Sequence, residues 1–337
     1  MINPELIKEL KNKTVLITGA TGLIGYNIIS ELIEGGKDKS GFPKIIALVR
    51  NKQKAENMFK NHTDAGIKIV VSDICDSINI DEPIDYIIHG ASQTASKAFI
   101  NEPVETINTA IKGTLNILEL AKEKNVKSLV YLSSMEIYGS PMADEKIDEA
   151  HGTSLDTMSV RSCYPESKRM CESLCASYCA EHGVPAKVVR LTQTFGPGVR
   201  YNDSRVFAEF ARCAIEGRDI VLHTKGETKR NYLYTDDAVS AILTVLLKGK
   251  DGEAYNAANE ETYCSIYEMA KLVAEKCAKG KINVDIQLED IDKFGYAPTL
   301  KMNLDTSKLQ KLGWTAEVDL KNMFDNLIEY MMKNRQK

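Results

Sequence analysis

Between Thr14 and Leu191 the apolar residues alternate between short unbroken runs and longer stretches with helical spacing. The runs Thr14–Thr18, Lys44–Val49, Ile67–Val71, Tyr86–His89, Ser128–Leu132 and Ala186–Leu191 read as strands buried on both faces. Leu23–Ile33, Val104–Lys124 and Glu166–Glu181 read as helices. Near-continuous apolar strands separated by helices predict the α/β class, with a doubly wound parallel sheet of the Rossmann type.

After Leu191 the pattern is less regular. Pro197-Gly198 interrupts it, and helical spacing returns at Arg205–Ile215, Asp236–Leu247 and Ser265–Lys279. Thr235 or Asp236 is expected to cap the second of these helices. Ser265 and Glu268 have capping-box spacing for the third. These segments predict a smaller C-terminal substrate lobe over the carboxyl ends of the strands, where ligands bind in open parallel sheets. The expected division is a dinucleotide-binding domain over 1–192, rejoined by part of 231–260, and a mainly substrate-binding lobe over 193–337.

With 337 residues the chain is long enough for a large core and two lobes. A formal net charge of -4 provides no broad electrostatic footprint for nucleic acid. No apolar stretch approaches membrane-spanning length, and Met1 to Lys11 lacks the apolar core of a signal peptide. The expected compartment is therefore the cytoplasm, with neither nucleic acid nor membrane as partner. Among eight cysteines, Cys171, Cys175 and Cys179 recur every four residues and share a helix face. No Cys/His cluster has metal-site spacing, so unpaired thiols and no metal are expected.

The segment Gly19-Ala20-Thr21-Gly22-Leu23-Ile24-Gly25 joins the first strand to the first long helix. Gly19 suits a tight turn, Gly22 a close backbone approach to a pyrophosphate, and Gly25 close helix–strand packing. The helix start adds free N–H groups and a positive dipole end. An NAD site calls for a carboxylate at the end of the second strand. Here the residues are Ala47-Leu48-Val49-Arg50-Asn51, and Arg50 is placed to meet a ribose 2′-phosphate. NADP is accordingly favoured over NAD. After the third strand comes Asp73-Ile74; Asp73 is either an acceptor for the adenine amino group or a turn-forming carboxylate.

Tyr164 and Lys168 stand at i and i+4 and share a helix face. A nearby ammonium is expected to lower the phenol pKa towards working pH, making Tyr164 a general acid/base for a sugar or alcohol hydroxyl. Ser133-Ser134-Met135-Glu136 leaves the carboxyl end of a strand, at the ligand crevice. Ser134 is suited to hydrogen-bond a substrate hydroxyl, and Glu136 supplies a second acid/base.

Together these residues resemble the extended short-chain dehydrogenase/reductases of the nucleotide-sugar epimerase/dehydratase group. The matching stretches are the loop 19–25, Asp73-Ile74, Ala91-Ser92 after the fourth strand, SSMEIYG over 133–139 and YPESKR over 164–169. Arg190 with Phe195-Gly196-Pro197, Arg230 before Tyr234-Thr235-Asp236-Asp237, and Leu312-Gly313-Trp314 extend the resemblance over nearly the whole chain. Arg161 before Cys163-Tyr164, with Lys168-Arg169, resembles the UDP-glucuronate decarboxylase branch in particular.

The resemblance implies Tyr164 as catalytic base, Lys168 as its pKa partner and ribose ligand, and Ser134 as assisting hydroxyl. It implies cofactor contacts from Thr21, Leu23, Ile24, Ala91 and Ser92. It also implies substrate contacts from Gln193, from Arg205 near the nucleotide and from Arg230 at the pyrophosphate. It further implies a homodimer in which the helices Val104–Lys124 and Glu166–Glu181 pair across the interface, the thiol face lying there or on the sheet.

Four departures bear on the reaction. Met135 stands where the 4,6-dehydratases carry Asp and cannot donate the proton that expels a hydroxyl, so dehydration is not expected. Gln193 and Ala110 stand where the group usually has Asn, and Lys301 where it has a carboxyl-terminal Arg. Three functions stay open. The first is a redox-neutral nucleotide-sugar enzyme oxidising C4, with net epimerisation or decarboxylation. The second is an NADPH-dependent reductase of a nucleotide-linked keto-sugar or ketose. The third is a non-catalytic dinucleotide-binding regulatory protein.

Overall fold

In the computed structural model, which describes residues 4–35, 43–60, 66–152, 155–289 and 299–335, seven parallel strands form the larger sheet. Their order is Ala254–Ala257, Ala186–Leu191, Ser128–Ser134, Tyr86–His89, Thr14–Thr18, Lys44–Val49 and Ile67–Val71. The order reverses at Thr14–Thr18, so a crevice opens between its carboxyl end and that of Tyr86–His89, where Thr18 lies opposite His89.

Alternate residues of each strand face opposite sides, and both sides are covered. Val15 and Ile17 pack with Ile28, Ile29 and Leu32 of the Leu23–Gly35 helix and with Val239 and Ile242 of Thr235–Lys248. Leu16 faces the other side, where Ile117 and Leu118 of Pro103–Glu123 and Cys171 and Cys175 of Cys163–His182 cover the sheet. Of the two surfaces open to the thiol face, Cys171 and Cys175 therefore occupy the sheet.

The Cys163–His182 helix begins ahead of the Glu166 indicated by the apolar pattern, which places Tyr164 in its first turn. Pro165 is compatible with that position because the first N–H groups of a helix have no intrahelical acceptor. The helix stops at Gly183 with φ +67°, whose N–H donates to the Cys179 carbonyl.

A smaller sheet contains Asn259–Ser265, Lys229–Tyr234, Lys301–Leu304 and Lys146–Ile147, with Gln193–Phe195 alongside Lys229–Tyr234. Around it the helices Val206–Glu216, Ile266–Leu272 and Leu320–Lys333 bury Phe195, Phe207 and Phe324, the first two rings stacked at 4.5 Å. Arg205 is the N-cap of its helix and not its first residue. The cap of Thr235–Lys248 is Tyr234, not Thr235 or Asp236, because the strand Lys229–Tyr234 runs extended straight into the helix. Asp236 and Asp237 fall in the first turn, and Asp237 accepts from the backbone of Glu317 and Val318 at 3.1 Å. The Ser265/Glu268 capping box is formed. That helix ends at Leu272 and continues as a π turn over Val273–Cys277, short of Lys279. Among the described residues no helix is long and apolar enough to cross a membrane.

Candidate active site

A cleft of about 620 Å³ lies over the crevice and runs from Arg50, Asn51 and Lys54 at one end to Ser134, Glu136 and Tyr164 at the other. Thr21, Gly22, Leu23, Ile24 and Gly25 form its floor near the middle. Gly19 has φ +67°, and a Cβ on it would lie 2.8 Å from the Gly90 carbonyl group. A Cβ on Gly25 would overlap the Gly19 carbonyl, so the helix start presses directly on the strand end. The Gly22 N–H closes the turn on the Gly19 carbonyl at 2.8 Å. The first N–H groups of the helix, which have no intrahelical acceptor, lie beside the exposed Gly22 and suit a pyrophosphate. These residues therefore fit a dinucleotide.

At the end of the cleft beyond the Lys44–Val49 strand, Arg50 is exposed at the rim. Asn51, omitted from the helical pattern, caps a helix Lys52–Phe59 by accepting from Lys54 N at 2.9 Å. Only Ala55 and Phe59 of that helix are buried, too few to register as an apolar stripe. The half-buried Lys54 side chain reaches back to the glycine loop and donates to the Thr21 carbonyl at 2.9 Å. Burial and the charges of Arg200 and Arg50 hold its pKa below the ordinary lysine value. Sequence reasoning missed Lys54 and Arg200; the i,i+4 spacing from Arg50 to Lys54 was the available signal. Asp73 makes the turn contact of its two alternatives, accepting from Cys75 N at 2.9 Å, while its neighbours Ser72 and Ile74 line the cleft. Ala91 and Ser92 line it as well.

At the opposite end Tyr164 is buried and stacks on Phe99 at 4.3 Å. Burial, reinforced by the Glu136 carboxylate, pushes its phenol well above the ordinary tyrosine value; the Ser134 hydroxyl and Arg161 act in the opposite direction. This corrects the expected lowering by Lys168. The Lys168 ammonium is anchored on the Leu132 carbonyl at 2.7 Å and lies 5.8 Å from the centre of the Tyr164 ring. Burial lowers Lys168 itself to about 8. In this arrangement desolvation outweighs the ammonium.

Ser134 accepts from Glu136 N at 3.2 Å, and Glu136 accepts from the Arg161 guanidinium at 3.0 Å. Arg161 thus faces the cleft beside the phenol. In the sequence it was visible only as part of a motif, with no role attached. One turn beyond Lys168, Glu172 accepts from Ser133 at 2.5 Å and from Arg190 at 2.7 Å, fixing the strand end that carries Ser134.

On the remaining wall Gln193 accepts from Arg230 at 3.3 Å. The Arg230 Nε is buried with no hydrogen-bond partner among the described residues, a donor available to an anion. Arg205 also lines the cleft but is held by Asp203 through bonds of 2.9 and 2.7 Å. Lys301 stands on the smaller sheet, 3.9 Å from Asp144, and is not part of the cleft wall. Among the described residues no three His, Cys, Asp or Glu side chains gather as a metal site.

A family model described as the NAD dependent epimerase/dehydratase family matches residues 15–258. The chain is 27% identical to UDP-glucuronic acid decarboxylase 1 of Xenopus tropicalis, covering 98% of this chain and 74% of that protein. It is 29% identical to UDP-glucuronic acid decarboxylase 3 of Arabidopsis thaliana, covering 92% and 86%. In fold it is similar to the crystal structure of UDP-glucose 4-epimerase with UDP-glucose from Thermotoga maritima. That structure has a TM-score of 0.80 and 22% identity, covering 96% of this chain and all of the other.

Proposed function

The chain belongs to the NAD dependent epimerase/dehydratase family, and from that premise we propose that it is a redox-neutral nucleotide-sugar enzyme oxidising C4 of a UDP-linked uronic acid, with net decarboxylation. The observation that carries this reading is the Arg161–Glu136 pair, which faces the cleft beside Tyr164 and Ser134. A guanidinium there is matched to a sugar carboxylate, since its planar fork binds carboxylates in bidentate fashion. The decarboxylase relatives support the same substrate class.

The proposed roles follow from position. When bound, the oxidised nicotinamide would supply a hydride acceptor, the donor that gives the hydride back, and a positive charge. Tyr164 takes the proton of the C4 hydroxyl, with Ser134 orienting that oxygen. A C4 ketone is β to the carboxylate at C5, so the C5–C6 bond can break to release carbon dioxide and leave an enolate. Water supplies the proton that C5 takes in place of carbon dioxide, with Glu136 placed to relay it; C4 would regain its hydride, and Tyr164 returns to O4 the proton it took. Arg230 and Gln193 hold the pyrophosphate side, Arg205 lies near the nucleotide, and residues 193–337 form the greater part of the sugar lobe. Epimerisation at C4 uses the same Tyr164, Lys168 and Ser134.

Replacing Arg161 by Ala tests the substrate class. kcat/KM for UDP-glucuronate is expected to fall about 10- to 100-fold, the cost of losing a charged hydrogen-bond partner. Any 4-epimerase activity towards UDP-glucose should fall much less. Equal losses for both substrates would remove Arg161 as the carboxylate ligand.

For the cofactor we propose NADP, supported by Arg50 and Lys54, which line one end of the cleft, and by Arg200, whose charge acts on Lys54. Arg50→Ala is expected to weaken NADP+ binding about tenfold in calorimetry, roughly the worth of one charged hydrogen bond. NAD+ binding should be nearly unchanged; a parallel loss for both would contradict a 2′-phosphate contact. The same cations favour a second reading, an NADPH-dependent keto-sugar reductase, which would consume the reduced cofactor stoichiometrically.

A homodimer is proposed through the long helices Pro103–Glu123 and Cys163–His182. Val104 at 69% and Met170 at 51% exposure, with Ile100 and Ile107, leave apolar side chains uncovered on them and on the adjoining helix. A monomeric mass by sedimentation at micromolar concentration would contradict it.

A further inference from the structure

Beneath the cleft floor, four buried side chains from different elements make one hydrogen-bonded chain. Thr18 and His89 end neighbouring strands, Thr114 lies on Pro103–Glu123, and Cys171 lies on the Cys163–His182 helix; none is more than 1% exposed. Thr18 Oγ1 lies 2.7 Å from His89 Nδ1, and His89 Nε2 lies 3.2 Å from Thr114 Oγ1. Thr114 donates to Cys171 Sγ at 3.2 Å, and Cys171 donates to the Ala110 carbonyl at 3.3 Å.

The direction of the chain follows from counting protons. Thr18 Oγ1 already accepts from Gly90 N at 3.1 Å and from Ala91 N at 3.0 Å. A hydroxyl has two acceptor sites and one proton, so that proton points to His89 Nδ1. Nδ1 is then bare and Nε2 carries the hydrogen, which it donates to Thr114. The other tautomer would leave the Thr18 proton buried without an acceptor, at a cost of about 1–3 kcal/mol. The groups facing the ring allow no second proton. Tyr131 lies 5.5 Å away, Cys171 is one link beyond, and burial together with the Lys168 charge pushes His89 down to about 3.

We infer that His89 is a positioning residue for the cofactor: its Nε2-protonated tautomer turns the Thr18 hydroxyl so that the oxygen holds the Gly90-Ala91 backbone against Gly19. This rests on reading the cleft as a dinucleotide site. Gly19 and Gly90 are the closest approach of the two loops across the crevice floor, near enough to exclude a Cβ. Gly90 and Ala91 line the cleft directly. The far end of the chain sits on the helix that carries Tyr164 and Lys168, tying the cofactor loop to the catalytic helix.

The tautomer is tested by 15N NMR of the histidine-labelled full chain, the His89 signals being identified by their loss in His89→Asn. The expected pattern is a protonated Nε2 and a bare Nδ1, unchanged between about pH 5 and 8, where an ordinary histidine titrates. A protonated Nδ1, or a signal that titrates in that range, would overturn the inference. Binding of NADP+ and NAD+ is then measured by calorimetry for His89→Leu, His89→Asn and Thr18→Val. His89→Leu and Thr18→Val should weaken dinucleotide binding by about tenfold or more, as the Ala91 N–H loses its fixed acceptor and the Gly90 N–H is left with the Thr18 carbonyl at 3.3 Å. His89→Asn should recover most of the affinity through its amide oxygen, and kcat at saturating cofactor should change little in all three. Unchanged affinity in folded His89→Leu and Thr18→Val would overturn the role, as would equal losses for Leu and Asn at position 89. Should His89→Leu and Thr18→Val not fold, the tautomer pattern, assigned with His89→Asn, decides. Wild-type protein binding neither nucleotide would refute the dinucleotide reading and leave the tautomer assignment standing.

Discussion

Tyr164→Phe is expected to lower turnover by about 10²- to 10⁴-fold, the usual worth of a positioned acid/base, while the protein folds and binds its dinucleotide as before. Phenylalanine keeps the stacking on Phe99, and only the hydroxyl is lost. That hydroxyl stands with Ser134 and Glu136 at the end of the cleft. The structure sharpens what the phenol must overcome. Burial and Glu136 keep it protonated, and Lys168 is fastened to the Leu132 carbonyl. Proton abstraction therefore depends on Arg161 and on further positive charge brought into the cleft. Turnover with UDP-glucuronate and cofactor affinity, measured on the same preparation, separate chemistry from binding. Full turnover in the variant would remove Tyr164 from the reaction.

Arg190→Ala is expected to destabilise the protein by about 3–5 kcal/mol, the cost of leaving one member of a buried ion pair alone. Arg190 and Glu172 side chains are each 12% exposed. The guanidinium also donates to Tyr138 at 2.7 Å and to the Glu149 carbonyl at 2.8 Å, so several groups lose partners together. Glu172 additionally holds Ser133, so the strand end bearing Ser134 should loosen. Arg205→Ala is the control. Its pairing with Asp203 is 41% exposed on the arginine side and should contribute no more than about 1 kcal/mol. Urea unfolding of the three proteins gives the comparison, and similar midpoints for both variants would contradict the assignment of Arg190 as a buried clamp.

Six strands of the larger sheet were legible as unbroken apolar runs, of which Thr14–Thr18 is buried throughout and Ile67–Val71, at the sheet edge, only in part. The seventh, Ala254–Ala257, was missed because Asn256 breaks a run of only four residues. The smaller sheet was not legible. Lys229–Tyr234 begins with Lys and Arg, and Gln193–Phe195 and Lys146–Ile147 are too short to carry a period. The glycine loop, Tyr164, Lys168 and Ser134 were visible because their spacing has a chemical meaning along the chain. Arg161 and Lys54 acquire theirs only through partners distant in sequence, Glu136 and the Thr21 carbonyl. The pKa expectation for Tyr164 went wrong for a related reason. Spacing places Lys168 on the same helix face, but it cannot show that Leu132 captures the ammonium or that the Tyr164 ring is buried. His89 read as the last residue of a strand, and its role depends on three other elements meeting beneath the cleft.

The most direct test of redox-neutral sugar chemistry is to supply UDP-glucuronate deuterated at C4 together with a small fraction of an equivalent of NADP+ and to weigh the product. The expected result is many turnovers to a nucleotide sugar lighter by carbon dioxide, with the deuterium still at C4 and no net accumulation of reduced cofactor. Loss of the deuterium, or turnover that stops when the added cofactor is consumed, would contradict it.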